Sequence, residues 1–173
     1  LALGLSAVNL GATELAQRVA ERLETLATDS ENNLSLKVSH VEITAMSMLL
    51  NSRNLTGATA TSQQQQAITL LREAVELTND GRLPSGAANP LKPVHELTGE
   101  VLLGNRQPEE AALLFEESLL RMPNRPLSLL GAARAYKQAG DTFRAAEKYT
   151  NLLAVWSDDS QPAVQEAKTY LGF

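Results

Sequence analysis

The sequence predicts an all-α protein, a solenoid of antiparallel helix pairs closed by a carboxyl-terminal capping helix. Three observations carry that prediction. Residues 92–125 and 126–159 repeat one another, so that Leu102 meets Tyr136, Ala111 meets Ala145, Phe115 meets Tyr149 and Ser118 meets Leu152. Apolar residues recur at helical spacing along nearly the whole chain, with almost no strand-type alternation. Hydrophobic residues make up 43% of the chain but aromatics only 4%, the composition of closely packed small-residue helices. A fixed period of this length means that each unit buries its apolar face against the next.

The elements follow in order. Residues 1–9 read as a short apolar helix stopped by Gly11, a residue suited to a left-handed C-terminal cap. Thr13 is placed to cap a second helix over 14–27, with Leu15, Val19, Leu23 and Leu26 on one stripe. A polar turn over 29–33 leads to a third helix over 35–50, carrying Val38, Val41, Ile43, Met46, Leu49 and Leu50. The stretch 51–62, rich in Asn, Ser, Thr, Gly and Ala, reads as a loop. Helix resumes over 63–77, with Ala67, Leu70, Leu71, Ala74 and Leu77 in register. Residues 80–93 hold Gly81, Pro84, Gly86, Pro90 and Pro93 and cannot form regular helix.

Helices are then expected over 94–103, 109–121 and 127–139, with Pro93, Pro108 and Pro126 at or near their starts. A proline there gives up only a hydrogen bond that would go unmade anyway. Gly140 stops one helix and Asp141 caps the next, 142–155. Ser160 is placed to cap a last helix over 162–171, with Val164, Ala167 and Leu171 on one face. The expected organisation is a partial unit over 1–31 and a divergent helix pair over 34–80 with its long loop at 51–62. A Pro/Gly linker follows over 81–93, then full units over 92–125 and 126–159, and a cap over 160–173.

These residues resemble the tetratricopeptide repeat. In 92–125 the motif is matched by Gly99, Leu102, Ala111, Phe115, Ser118 and Pro123, and in 126–159 by Ala133, Tyr136, Gly140, Ala145, Tyr149 and Leu152. Leu3, Gly4, Gly11, Ala16 and Ala20 match it as a repeat entered part-way, and Ala67, Leu71 and Ala74 as second-helix positions of the divergent pair. The chain departs from the motif at His95 and Leu129, which replace its first-helix aromatic, at Thr98 and Ala132, which replace its leucine, and at Ser157, which replaces a closing proline. The string 92–97, with 123–125 and 131–135, also looks like the carboxyl-terminal part of larger bacterial-type repeat proteins. Independently of the resemblance, glycine and alanine at 99, 111, 133 and 145 allow helices to approach, while Phe115 and Tyr149 fill the space between units.

The resemblance implies a right-handed superhelix whose first helices line a concave groove for a protein or peptide. The groove residues it implies are Glu96, Glu100 and Leu103 in one unit and Leu130, Arg134 and Lys137 in the next. The Lys-and-Asn pattern with which chaperone-binding relatives hold a terminal carboxylate is missing.

Composition narrows the function classes. A formal charge of −5, a pI near 5.1 and scattered basic residues argue against a phosphate-tracking nucleic-acid surface. Without cysteine there is no disulfide, thiol nucleophile or thiolate metal site. No apolar run approaches the roughly 20 residues needed to span a bilayer. Residues 1–10 are apolar but lack the basic start of a signal peptide, and a chain beginning at Leu1 reads as a fragment or processed form.

His95, Glu96 and Glu100 share a helix and would suit a metal or a proton relay, but His95 occupies a packing position between helices. Glu109-Glu110 and Glu116-Glu117 are adjacent pairs that point about 100° apart on a helix and do not converge. No phosphate loop, nucleophile elbow or zinc spacing appears, so no catalytic residue, cofactor or metal is expected and the protein is not read as an enzyme. Asn33-Leu34-Ser35 and Asn54-Leu55-Thr56 fit the glycosylation pattern, with Asn54 in the expected loop.

Two functions fit. One is a non-catalytic interaction scaffold presenting its groove to a partner protein or peptide. The alternative is a structural protein that stacks copies of itself end to end into an oligomer or extracellular filament, to which glycans on Asn33 or Asn54 would be suited. The polar residues of the last helix, Gln165, Glu166, Lys168 and Thr169, favour the scaffold.

Overall fold

The computed structural model describes residues 1–30, 33–80 and 91–173. Among these it is all-helical, and consecutive helices pack on one another within two compact units, 1–83 and 84–173. The expected linker lies almost wholly outside the described residues.

The first unit holds α1 (Ala2–Asn9), α2 (Thr13–Asp29), α3 (Leu34–Ser52) and α4 (Gly57–Asn79). Gly11 turns α1 into α2 at φ +71°, as the sequence suggested. Gly4 lets α1 settle on α3, because a Cβ there would lie 2.6 Å from the Ile43 side chain. On α2 the buried positions are Ala16, Ala20 and Leu23, with Leu15, Val19 and Leu26 only partly covered. Helix α3 packs between α2 and α4, so its buried set includes Glu42, Ile43, Ala45, Ser47 and Leu50. The Asn33 side chain caps it, accepting from the Leu36 N–H at 3.2 Å.

The loop expected over 51–62 is corrected to a short connection over 53–56, with α4 beginning at Gly57. Beyond Gly57 the stretch contains no helix breaker, and its threonines return their hydroxyls to the helix, as Thr61 does to the Gly57 carbonyl and Thr69 to that of Gln65. The strong apolar stripe of Ala67, Ile68, Leu71, Ala74 and Val75 supplies the packing, and the neutral residues before it simply extend the helix.

The second unit holds α5 (Val94–Gly104), α6 (Pro108–Arg121), α7 (Pro126–Ala139), α8 (Thr142–Val155) and α9 (Pro162–Leu171). Pro108, Pro126 and Pro162 sit in the first turns of their helices. Gly140 is left-handed at φ +82°, and the Asp141 side chain accepts from the Arg144 N–H at 3.0 Å. Two expected caps are corrected. Thr13 is the first residue of α2, behind an uncapped Ala12, and Ser160 gives its hydroxyl to Asp158 while Gln161 precedes the Pro162 start.

Phe115 organises this unit. Its ring is fully buried between α5 and α7, where a Cβ on Gly99 would meet it at 3.0 Å and one on Gly131 at 2.2 Å. Around Tyr149, a second cluster of Leu129, Leu130, Ala133 and Leu152 receives Ala163 and Ala167 of α9.

Candidate functional site

Glu100 on α5 and Arg134 on α7 occupy equivalent places in the two repeats, and the structure brings them to opposite helices of one pocket. Its volume is about 340 Å³, and its walls are Glu100, Leu103, Gly104, Leu127, Leu130, Gly131 and Arg134. Gly131 has no side chain because the Phe115 ring occupies that space, where a Cβ would lie 2.2 Å from it, so Gly131 lines the pocket with bare backbone. Leu127 is 42% exposed at the rim, whereas Leu130 is largely buried.

Both charges on the pocket wall are paired internally. Lys92 donates to Glu100. Arg134 binds both oxygens of Glu166 from α9, the shortest contact being 2.6 Å, and the Tyr149 hydroxyl donates to the same carboxylate at 2.6 Å. The Arg134 hydrogen bond holds the Glu166 carboxyl below its ordinary range, against an opposing push from burial. Lys137, one turn beyond Arg134, lies over the Tyr170 ring at 5.3 Å.

Four of the expected groove residues, Glu100, Leu103, Leu130 and Arg134, therefore line one pocket, with Lys137 a turn away. Glu96 departs from that expectation because its side chain is fully buried. Arg125 reaches it through Nε at 2.7 Å and Nη2 at 3.1 Å, and the Ser128 hydroxyl donates to it at 2.6 Å. Ser118 meets Ser128 at 2.9 Å, so the carboxylate anchors a network joining α5, α6 and α7 rather than facing a ligand. Sequence reasoning missed Leu127, Gly104 and Gly131 as wall residues. Leu127 was findable, since it stands three residues before Leu130 and seven before Arg134 on one helical face.

The other candidates are placed as follows. His95 is buried, with Nε2 3.4 Å from Glu117 Oε2. Burial lowers its pKa, Arg121 adds to that, and Glu117 opposes it. His40 meets the Ala20 carbonyl through Nδ1 at 3.0 Å. Glu109 and Glu110 lie in the first turn of α6, where the helix dipole favours negative charge. Glu116 binds Lys148 at 2.7 Å and accepts from the Tyr136 hydroxyl at 3.0 Å. Asn33 is engaged as a helix cap, and Asn54 is exposed in the α3–α4 turn. A second hollow of about 610 Å³, between α3 and α4, is walled by Met48, Leu70 and uncharged hydroxyl and amide side chains. Among the described residues no group of three or more His, Asp or Glu side chains converges as a metal site, and no helix is long and apolar enough to cross a membrane.

No family model matches the chain, and neither a curated protein nor a solved structure is significantly similar to it.

Proposed function

We propose that the protein is a non-catalytic interaction module of the tetratricopeptide-repeat type, in which the α5–α7 pocket receives a side chain from a partner protein or peptide. The observation that carries this is the pocket itself, an apolar hollow between α5 and α7 whose two charged wall residues, Glu100 and Arg134, are equivalent positions of the 34-residue repeat. Its supports are preorganised, since Arg134 is fixed by Glu166 and Tyr149 and Glu100 by Lys92. The end-to-end stacking alternative draws less support, because Gln165 and Thr169 leave α9 a polar outer side.

The test is selection of peptides from a random display library on the full chain, followed by binding to the Leu127→Ser variant. Leu127 is at the rim, so its loss should change stability by no more than about 0.5 kcal/mol. Peptides that use the pocket lose at least about tenfold in affinity for the variant. Peptides that bind both forms equally would remove the pocket from the proposal. Light scattering across a concentration series separates the alternative, which requires a mass that keeps growing.

A further inference from the structure

We propose that the occupant of the α5–α7 pocket is a partner segment in which an aliphatic side chain stands beside a carboxylate. This rests on the binding role proposed above and adds the chemistry of the ligand. The aliphatic half follows from the walls, where Leu103, Leu127 and Leu130 stand beside the bare backbone of Gly104 and Gly131. A few apolar groups with one or two placed charges select an apolar anchor and orient it.

The carboxylate follows from charge balance around the rim. Glu100 is taken by Lys92, and Glu166 is taken by Arg134 and the Tyr149 hydroxyl. Lys137 is exposed and rests on the Tyr170 ring, with no carboxylate at ion-pair distance among the described residues. Lys92, Arg134 and Lys137 thus outnumber Glu100 and Glu166, and Lys137 acts on Glu166 only through space, so the local balance is positive on a chain whose formal charge is −5. The same wall already displays carboxylate recognition, because Glu166 is held through two guanidinium nitrogens and a phenol. A segment bringing an ammonium group would instead face Lys92, Arg134 and Lys137 with both nearby carboxylates already engaged.

Three small probes of similar shape separate the possibilities: isovalerate, isoamylamine and isopentanol, titrated into isotope-labelled protein spanning residues 1–173 and followed by amide NMR. The expected result is that isovalerate shifts the Gly104, Leu127 and Gly131 amides and binds about threefold tighter than isoamylamine, an advantage that shrinks in high salt. In the Lys137→Glu variant that order reverses while isopentanol is unaffected. Equal binding of acid and amine, or preference for the amine, overturns the carboxylate inference and leaves the pocket standing. Failure of all three probes to shift those amides overturns the pocket as a binding site together with this inference.

Discussion

Glu96 shows how much a single buried charge is asked to do. Three donors from Arg125 and Ser128 converge on a carboxylate with no solvent exposure, and Ser118 extends the network to α6. Removing one partner of such a pair strands the other in a poorly solvated site, whereas replacing both by apolar groups removes the problem. Glu96→Ala should therefore lower unfolding stability by about 3–5 kcal/mol. The double variant Glu96→Met, Arg125→Met should recover most of that loss in chemical denaturation, and recovery of none would show that the network does more than satisfy its own charges. The position also marks a limit of sequence reasoning. Helical periodicity puts Glu96 and Glu100 four residues apart on one face, but only tertiary contact shows that Arg125, from the turn before α7, closes over the first and leaves the second at the pocket. Gly131 was illegible for a similar reason, since a glycine inside a helix announces a close approach without naming the ring that makes it.

At the scale of elements, helix starts and stops marked by proline, glycine and aspartate were legible, because their effects are local to the backbone. Pro108, Pro126, Gly140 and Asp141 stand where those effects require. The extent of α4 was not legible, because neutral residues such as Thr61 and Gln65 accept either state and follow the packing of the helix they adjoin. Helix α9 is held by two kinds of contact. Ala163, Val164 and Ala167 are buried, and Glu166 ties the helix to Arg134 and Tyr149. Its approach is set by Asp158, which accepts from Ser160 and Gln161, and by the Lys168–Asp159 pair. Glu166→Gln keeps the shape and removes the charge. Hydrogen exchange in α9 should then quicken several-fold while α5 and α6 stay protected, and unchanged exchange would assign the docking of α9 to its alanines and valine alone.

At the scale of the whole molecule, the two units carry buried titratable groups with opposite consequences. In the first, burial pushes the Glu42 carboxyl up to about 8. The unfolded chain gives up that proton near 4.5, so stability present in acid is lost as pH rises towards 8, by on the order of a few kcal/mol. In the second, the His95 imidazole titrates below its ordinary 6.5, chiefly because it is buried. Its contribution is complete above 6.5 and is lost as pH falls towards the folded value. Thermal melting followed through resolved amide signals should show 1–80 losing stability as pH rises from about 4.5 to 8, and 91–173 losing it as pH falls below 6.5. Glu42→Gln should flatten the first dependence without touching the second, and parallel behaviour of both units would refute the assignment.

Phe115, clasped between Gly99 and Gly131, acts as a shim. Both glycine backbones bear directly on the ring, so how closely α5 and α7 approach is set by one aromatic side chain of α6. A slimmer residue there would let the helices close up, and the neighbouring pocket with them, so the calibre of that hollow is governed by a side chain that does not line it.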